Sequence, residues 1–172
     1  MVRPALPHEL LQVRDFYWTL IDGMRDAQYL PGWQKGVYPT DEFLRESLDR
    51  GELFVLERSG QLVGAMVVNH QCNEGYAQAR WAVDAQPEEI SVIHALAVLP
   101  ACHGQGLAKE LTLAAVRMAR ERGQRAVRLD VLGTNLAAKR LYEGLGFQFR
   151  KALQMYYDDT GWTEYLLYEL PL

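Results

Sequence analysis

A chain of 172 residues with 49% hydrophobic and 23% charged residues is long enough to bury a sizeable core and has an ordinary globular composition. Its formal net charge of −4 argues against nucleic acid as the main partner, since nucleic-acid binders carry an excess of basic residues. No apolar run approaches the roughly 20 residues of a membrane span, and the N-terminus lacks the apolar core of a signal peptide. The two cysteines do not make a disulfide framework. We therefore expect a single cytoplasmic domain over residues 1–172, with no membrane partner.

The first part of the chain predicts a short edge strand, two helices and a hairpin. The edge strand covers residues 2–5, and helical spacing of apolar residues predicts a first helix from residue 8 to about residue 25. Thr40 is a suitable N-cap for a second helix over residues 41–50, which Gly51 ends. Strands over 52–58 and 61–69 flank Ser59-Gly60, a two-residue hairpin signal. A long connection, residues 70–89, follows.

The chain is organised around the stretch from Val92 to Arg122. Almost every residue before Pro100 is apolar, which predicts a strand buried on both faces. Gly104 and Gly106 permit a tight turn, and apolar residues at helical spacing then predict a helix that ends near Gly123. The first N–H groups of a helix lack partners and lie at the positive end of its dipole. We therefore expect this glycine turn to hold the pyrophosphate of a nucleotide-containing cofactor.

The last part of the chain predicts another strand, another helix and a final hairpin. The strand covers residues 126–132, and Asn135 is a suitable N-cap for a helix that ends before Gly146. The hairpin strands cover residues 147–157 and 162–170. The order strand, helix, strand implies a parallel or splayed neighbour for the central strand. The sum is a mixed α/β sheet with helices on both faces.

The glycine turn resembles the acyl-CoA loop of the GNAT N-acetyltransferase superfamily. It lacks the order of a P-loop and the third glycine of a dinucleotide fingerprint. The family loop reads Gln/Arg-x-x-Gly-x-Gly/Ala, and here His103 takes the first place, Gly106 the fourth and Ala108 the last. A second family motif, an Asn followed by a helix that ends in Leu-Tyr-x-x-x-Gly-Phe, is matched by Asn135 and by residues 141–147. The resemblance is strongest from residue 93 to residue 147.

The resemblance implies a GNAT-like fold, with a twisted mixed sheet of about six or seven strands, helices on both faces and a splayed cofactor cleft. It also implies an acetyl-CoA-dependent N-acetyltransferase, in which a primary amine attacks the thioester directly in a ternary complex. A bulge in the central strand near Leu96 and Ala97 would leave an N–H group free for the oxyanion, and Tyr142 matches the usual general acid. The cofactor contacts implied are Leu96, Ala97, Val98, His103, Gly104, Gln105, Gly106, Leu107, Ala108, Lys109, Asn135 and Tyr142.

Three residues are candidates for the general base that removes the amine proton. Asp130 aligns with a position that is acidic in some family members, and His94 has an ordinary pKa of about 6.5 that suits the task. Glu89 precedes the central strand and is the third candidate. Each also has a purely structural interpretation: a carboxylate paired with an arginine (Arg128 or Arg80), a hydrogen-bonded core histidine, or a solvated loop acid. A water chain without a dedicated base is a further alternative.

The resemblance places the acceptor pocket at the first two helices and nearby loops. It implies contacts from Trp33, Tyr38, Tyr76 and Trp81, with Asp22, Asp26 and Glu42 close in sequence. Aromatic rings and acids can hold a cation, but they can equally pack loops together. The acceptor is therefore a small-molecule amine or a peptide amine.

Two other interpretations remain at the level of sequence. The histidines and cysteines have spacings that fit no metal-ligand pattern, so we expect no metal site. A non-catalytic acyl-CoA-binding or sensing domain is the alternative to an enzyme. A homodimer is common in the family, and the sequence leaves that possibility open.

Overall fold

The computed structural model describes residues 1–24 and 32–172, and these residues form a seven-stranded sheet in the order β1-β2-β3-β4-β5-β7-β6. All neighbouring strands are antiparallel except β4 and β5, which are parallel. The strands are β1 (Val2–Pro4), β2 (Leu53–Arg58), β3 (Gln61–Asn69), β4 (Ile90–Val98), β5 (Ala126–Leu132), β6 (Gln148–Tyr157) and β7 (Gly161–Pro171). The helices are α1 (Leu10–Gly23), α2 (Asp41–Asp49), α3 (Leu107–Glu121) and α4 (Leu136–Gly144). The mixed sheet of about six or seven strands is thus confirmed.

Local signals in the sequence account for several of these boundaries. The Thr40 hydroxyl accepts the N–H of Phe43 at 3.0 Å, which caps α2. Ser59 and Gly60 both adopt left-handed φ angles, 50° and 78°, as a two-residue hairpin turn requires. The first helix is shorter than predicted, because residues 7–9 form a separate 3-10 turn and α1 ends at Gly23. Residue 25, its predicted end, lies outside the described residues.

The helices cover both faces of the sheet, as predicted. Side chains alternate along β2, so Leu53 and Val55 pack against α1 and α2. Phe54 and Leu56 point to the opposite face, where they join the cluster formed by α3 and α4. No helix among the described residues is long and apolar enough to cross a lipid bilayer.

The sheet opens between β4 and β5. The two strands are paired only from Ile90 to Val92, opposite residues 126–128. Beyond that point β5 stays paired with β7 up to Leu132, whereas β4 continues to Val98 without β5 beside it. The divergence leaves a wedge-shaped gap between the C-terminal halves of two parallel strands, which confirms the predicted splay.

The long connection before β4 is fastened to the sheet by a buried ionic network. Glu169 on β7 is fully buried and accepts the N–H of Ala82 at 2.7 Å. Its carboxylate also pairs with Arg128 at 3.1 Å and with Arg150 at 3.2 Å. The guanidinium of Arg128 lies 4.2 Å from the ring centroid of Trp81. This network holds the connection before β4 against β5 and β7. It therefore also stabilises the elements that border the gap.

Candidate active site

The gap between β4 and β5 is a cleft of about 130 Å³. Its lining contains seven residues that the sequence singled out: Trp33, Tyr38, His94, Leu96, Asp130, Asn135 and Tyr142. Three further polar or aromatic residues line it that the sequence did not single out: Tyr157, Asp159 and Tyr165. The cleft therefore brings together side chains from the central strand, β5, α4, the loop before α2 and the final hairpin.

The central strand contains a bulge beside the cleft. Ala65 on β3 pairs with Ala97, but Val67 pairs with His94, so β4 has one more residue than β3 over this interval. Ala95 adopts a left-handed φ of 49°, which is uncommon for a residue other than glycine. The sequence predicts the bulge near Leu96 and Ala97, and it begins one residue earlier. Such a bulge interrupts the ladder and frees main-chain groups from strand pairing.

The glycine turn follows the end of β4. Gly104 and Gly106 have φ angles of 77° and 74°, and a Cβ on either would meet no atom within 4 Å. The first hydrogen bond into α3 runs from the N–H of Glu110 to the carbonyl of Gly106 at 3.0 Å. The N–H groups of residues 107–109 therefore precede the first helical bond and have no intrahelical acceptor. Open space, free N–H groups and the positive end of the helix dipole fit a diphosphate.

His103 ties this turn to the central strand. Its Nε2 atom lies 3.0 Å from the carbonyl oxygen of Val98, at the end of β4. The family loop usually has Gln or Arg at this place, and the histidine here makes a contact with the strand that leads into the turn. The turn and the unpaired half of β4 are thus held next to each other.

Asp130 lies in the cleft with a partly satisfied carboxylate. Its Oδ2 atom accepts the hydroxyl of Tyr157 at 2.8 Å and that of Tyr76 at 2.9 Å. Burial raises the pKa of Asp130 above its ordinary value, although the two tyrosine hydrogen bonds oppose this effect. Arg128 pairs with Glu169 rather than with Asp130, so the structural interpretation of Asp130 as its ion-pair partner is wrong.

The other two base candidates differ in position. His94 lines the cleft, and its Nε2 atom lies 2.9 Å from the side-chain oxygen of Asn69. Burial lowers the pKa of His94 to about 4, so the ring is neutral at pH 7. Glu89 lies at the opposite end of β4, where it accepts the N–H of Gln86 at 2.7 Å and pairs with Arg125 at 3.5 Å. The fold does not bring Glu89 to the cleft.

Tyr142 and Asn135 reach the cleft from α4. The Tyr142 side chain is 7% exposed, and its hydroxyl has no hydrogen-bond partner within residues 1–24 and 32–172. Burial raises the pKa of Tyr142, so the phenol stays protonated at neutral pH. Asn135 caps α4 by accepting the N–H of Ala138 at 3.1 Å, and it also lines the cleft. A protonated phenol without a partner, held beside the bulge, is available to donate a proton.

The fold brings only some of the four residues predicted to contact the acceptor into the cleft. Trp33 and Tyr38 line the cleft directly, and Tyr76 reaches it through its hydrogen bond to Asp130. Trp81 lies behind Tyr76, where its indole N–H donates to the Tyr76 carbonyl at 3.0 Å. Among the nearby acids, Asp22 pairs with Lys35, Glu42 is exposed on α2, and residue 26 lies outside the described residues.

Residues of the final hairpin are the part of the site that sequence reasoning missed. Tyr157 and Tyr165 pack with ring centroids 4.9 Å apart, and Asp159 lies in the turn between their strands. In the sequence this segment reads as a hairpin turn. One sequence feature could have identified the hairpin as part of the site. Several tyrosines flank its acidic turn, and an ordinary surface hairpin does not need them.

Known proteins resemble this chain in sequence. Residues 14–147 match the acetyltransferase (GNAT) family. The mycothiol acetyltransferase of Thermobispora bispora is 35% identical over 120 residues, which cover 70% of this chain and 34% of that protein. The mycothiol acetyltransferase of Thermomonospora curvata is 35% identical over 99 residues, covering 58% and 28%. The chain thus spans about a third of the length of these curated relatives.

Solved structures agree in fold. A GNAT family acetyltransferase from Streptococcus agalactiae superposes with a TM-score of 0.80 at 18% identity, over 100% of this chain and 95% of that one. The structure of yncA from Salmonella typhimurium with its cofactor acetyl-CoA has a TM-score of 0.72 at 20% identity, over 100% and 93%. Because the family match covers more than half of the chain, the protein belongs to the acetyltransferase (GNAT) family.

Proposed function

We propose that this protein is an N-acetyltransferase that moves the acetyl group of acetyl-CoA to a primary amine by direct attack in a ternary complex. The observation that carries the proposal is the convergence of three features in one cleft. They are the bulge at Ala95, a partly buried carboxylate at Asp130 and a protonated phenol at Tyr142. A domain that only bound acyl-CoA would not need a base and an acid in the same cleft.

The glycine turn is the proposed grip on the cofactor. We assign the diphosphate to the N–H groups of the turn and of the first turn of α3, which belong to Gly104, Gln105, Gly106, Leu107, Ala108 and Lys109. The half of β4 that has lost β5, around Leu96, Ala97 and Val98, offers an edge to which the amides of the pantetheine arm can pair like an added strand. His103 keeps these two parts in contact. Asn135 borders the same path from α4.

Asp130 is the proposed general base. An alkylammonium has a pKa of about 10.4 and no free lone pair, so the acceptor must lose a proton before it attacks. Burial gives the Asp130 carboxylate a raised pKa and therefore a stronger affinity for that proton. The hydroxyls of Tyr76 and Tyr157 fix its orientation. His94 is the alternative base in the same cleft, and burial lowers its pKa to about 4, which weakens its affinity for a proton compared with an ordinary histidine.

Tyr142 is the proposed general acid. The amine nitrogen forms the new C–N bond, and the C–S bond breaks with its electron pair leaving on the sulfur. The proton of the Tyr142 hydroxyl neutralises that sulfur, whose thiol has a pKa of about 8.5 if it behaves like cysteine. The nitrogen loses its second proton as the amide forms, and that proton restores the phenol. A main-chain N–H freed at the bulge serves as donor to the carbonyl oxygen while negative charge builds on it.

Two measurements test this function. Calorimetry with coenzyme A alone is expected to give binding heat that saturates at one site per chain. Incubation of the protein with acetyl-CoA and primary amines is then expected to release free thiol, with an N-acetylated product detected by mass spectrometry. Binding without thiol release for any amine would favour the acyl-CoA-binding domain instead. Absence of binding heat would overturn the proposed cofactor site.

A further inference from the structure

The charged groups that line the cleft are all acidic. Asp130 projects from β5 and Asp159 from the turn between β6 and β7, whereas no lysine or arginine belongs to the lining that the described residues form. His94 is neutral at pH 7, because burial lowers its pKa to about 4. Within residues 1–24 and 32–172, neither aspartate has a cationic partner. Two carboxylates without a counter-ion in one enclosed space favour a cationic ligand.

Asp159 is held in place rather than being free on a loop. Burial raises the pKa of its carboxylate, and the nearby main-chain N–H groups of Asp159 and Thr160 only partly oppose this effect. The main-chain carbonyl of Asp159 accepts the side-chain amide of Gln34 at 3.0 Å. A Cβ on Gly32 would collide with the methyl group of Thr160, so the loop before α2 packs closely on this turn. The turn that carries Asp159 is thus fixed against the loop before α2.

Aromatic rings form much of the remaining wall. The lining contains two ring pairs: Trp33 and Tyr38, with centroids 5.8 Å apart, and Tyr157 and Tyr165, with centroids 4.9 Å apart. The faces of such rings attract alkylammonium groups. The Tyr142 hydroxyl, nearly buried and without a partner among the described residues, independently indicates that the cleft receives a ligand.

The change in charge during the reaction restricts the chemical class of the acceptor. The attacking nitrogen must be neutral, so its proton passes to Asp130 and the charge of that carboxylate disappears. Asp159 keeps its negative charge. The reacting nitrogen, now neutral, no longer balances that charge. A second, permanent cation on the acceptor is needed to balance the charge of Asp159, and a carboxylate on the acceptor would be repelled.

We propose that the acceptor is a compact diamine, an inference that rests on the proposed function. Its reacting nitrogen faces Asp130, and its second ammonium group binds Asp159 between the aromatic rings. An amine with a carboxylate at its other end is rejected. The cleft volume of about 130 Å³ limits the enclosed part of the acceptor to a short chain.

Three four-carbon amines of matched length provide the test: 1,4-diaminobutane, 1-aminobutane and 4-aminobutanoate. They differ at the far end, which carries a cation, no charge or an anion. We expect kcat/KM for the diamine to exceed that for the monoamine by at least about tenfold, which is an ion-pair effect of about 1.4 kcal/mol. The amino acid is expected to be the poorest substrate. This comparison uses the unaltered protein, so it does not depend on the folding of any variant.

Asp159→Asn is the matching variant, and Asp158→Asn, at the exposed neighbouring position, is its control. Asp159→Asn is expected to bring the diamine-to-monoamine ratio close to one by raising KM for the diamine, whereas Asp158→Asn keeps the wild-type ratio. Equal turnover of all three amines, or an unchanged ratio in Asp159→Asn, would overturn this inference and leave the enzyme standing. Thiol release with none of the amines, despite coenzyme A binding, would instead overturn the proposed function.

Discussion

The hydroxyl of Tyr17 on α1 donates a hydrogen bond of 2.7 Å to the carbonyl oxygen of Ala95, the residue at which the central strand bulges. Tyr17 is 1% exposed, and the left-handed conformation of Ala95 costs roughly 1 kcal/mol, so the bond holds a strained residue in place. The same ring contacts Trp33, with centroids 5.8 Å apart. One buried tyrosine therefore fixes both the bulge and one wall of the proposed acceptor site.

Tyr17→Phe is expected to lower kcat by roughly tenfold to a hundredfold, because a small displacement of the bulge misplaces the donor for the carbonyl oxygen. KM for acetyl-CoA is expected to stay unchanged, since the glycine turn is untouched. Tyr168→Phe is the control, because that buried hydroxyl donates to Glu143 at 2.9 Å and does not line the cleft. Each variant is expected to lose about 1 kcal/mol of stability. Equal kcat values in the two variants would refute a positioning role for Tyr17.

Gly106→Ala is expected to weaken coenzyme A binding by at least about tenfold, because a Cβ disfavours the φ of 74° that points the N–H groups outward. Gly123→Ala is the matched control at the other end of the same helix. Its φ is 69°, and a Cβ added to either glycine would meet no atom within 4 Å, so both variants pay the same conformational cost. Calorimetric titration of both proteins gives the comparison. Similar affinity in the two variants would place the phosphate site elsewhere.

The features that the sequence predicts correctly depend on neighbours in the chain. The strands at 61–69 and 126–132 agree to the residue, and the cap at Thr40 and the glycine turn also follow from local residues. Such signals arise from side-chain alternation, capping hydrogen bonds and the φ freedom of glycine. Tyr142 is identified by a motif of neighbouring residues, and it lies in the cleft.

The features that escape the sequence depend on pairing between distant segments. The bulge lies one residue before its predicted place, because its position is visible only in the register between β3 and β4. The partners of Asp130 are 54 and 27 residues away, at Tyr76 and Tyr157, so nothing near Asp130 in the chain indicates them. The insertion of β7 between β5 and β6 brings Asp159 to the cleft, and strand order is not encoded in local periodicity. Glu89 is a candidate because it is close to the central strand in sequence. It precedes the N-terminal end of β4, however, and the cleft lies beside the C-terminal half.

Tyr142→Phe is expected to lower kcat by roughly a hundredfold or more, which is a typical contribution from one general acid. Affinity for acetyl-CoA is expected to be nearly unchanged, because the variant removes a single hydroxyl that has no partner among the described residues. Tyr156→Phe is the control, since Tyr156 is half exposed on β6 and packs on Trp162. The measurement is thiol release under conditions where chemistry limits the rate. Unchanged turnover in Tyr142→Phe would remove this residue from the mechanism.

The rate of acetyl transfer is expected to rise with pH as Asp130 loses its proton, and this rise occurs above the ordinary range of an aspartate. The reason is that only the carboxylate accepts the amine proton, and burial raises the pKa of Asp130. Asp130→Asn is expected to lose this acidic limb and to be slower by roughly a hundredfold. The corresponding variant of the second candidate, His94→Gln, is expected to keep the limb. Loss of the limb in His94→Gln, and its retention in Asp130→Asn, would reassign the base.

Stability measurements separate this effect from misfolding. Because the folded-state pKa of Asp130 is raised above its unfolded-state value, the folded protein holds the proton more tightly. The free energy of unfolding contributed by this group is therefore fully present below the unfolded-state pKa and is lost as the pH rises through the folded-state pKa. The Asn side chain is neutral and still accepts the bonds from Tyr76 and Tyr157. The melting temperature of Asp130→Asn at pH 7 is expected to equal or exceed that of the wild type.

Glu169→Gln is expected to lower the free energy of unfolding by roughly 3 kcal/mol, because it leaves the buried guanidinium of Arg128 without its counter-charge. The same carboxylate anchors the connection before β4 through the N–H of Ala82. That connection carries Tyr76, which orients Asp130, so the loss extends to the cleft and kcat falls as well. Glu164→Gln, on an exposed position of the same strand, is expected to be neutral in urea unfolding. Equal midpoints for the two variants would mean that the arginine finds another partner, and that the network does not hold the connection.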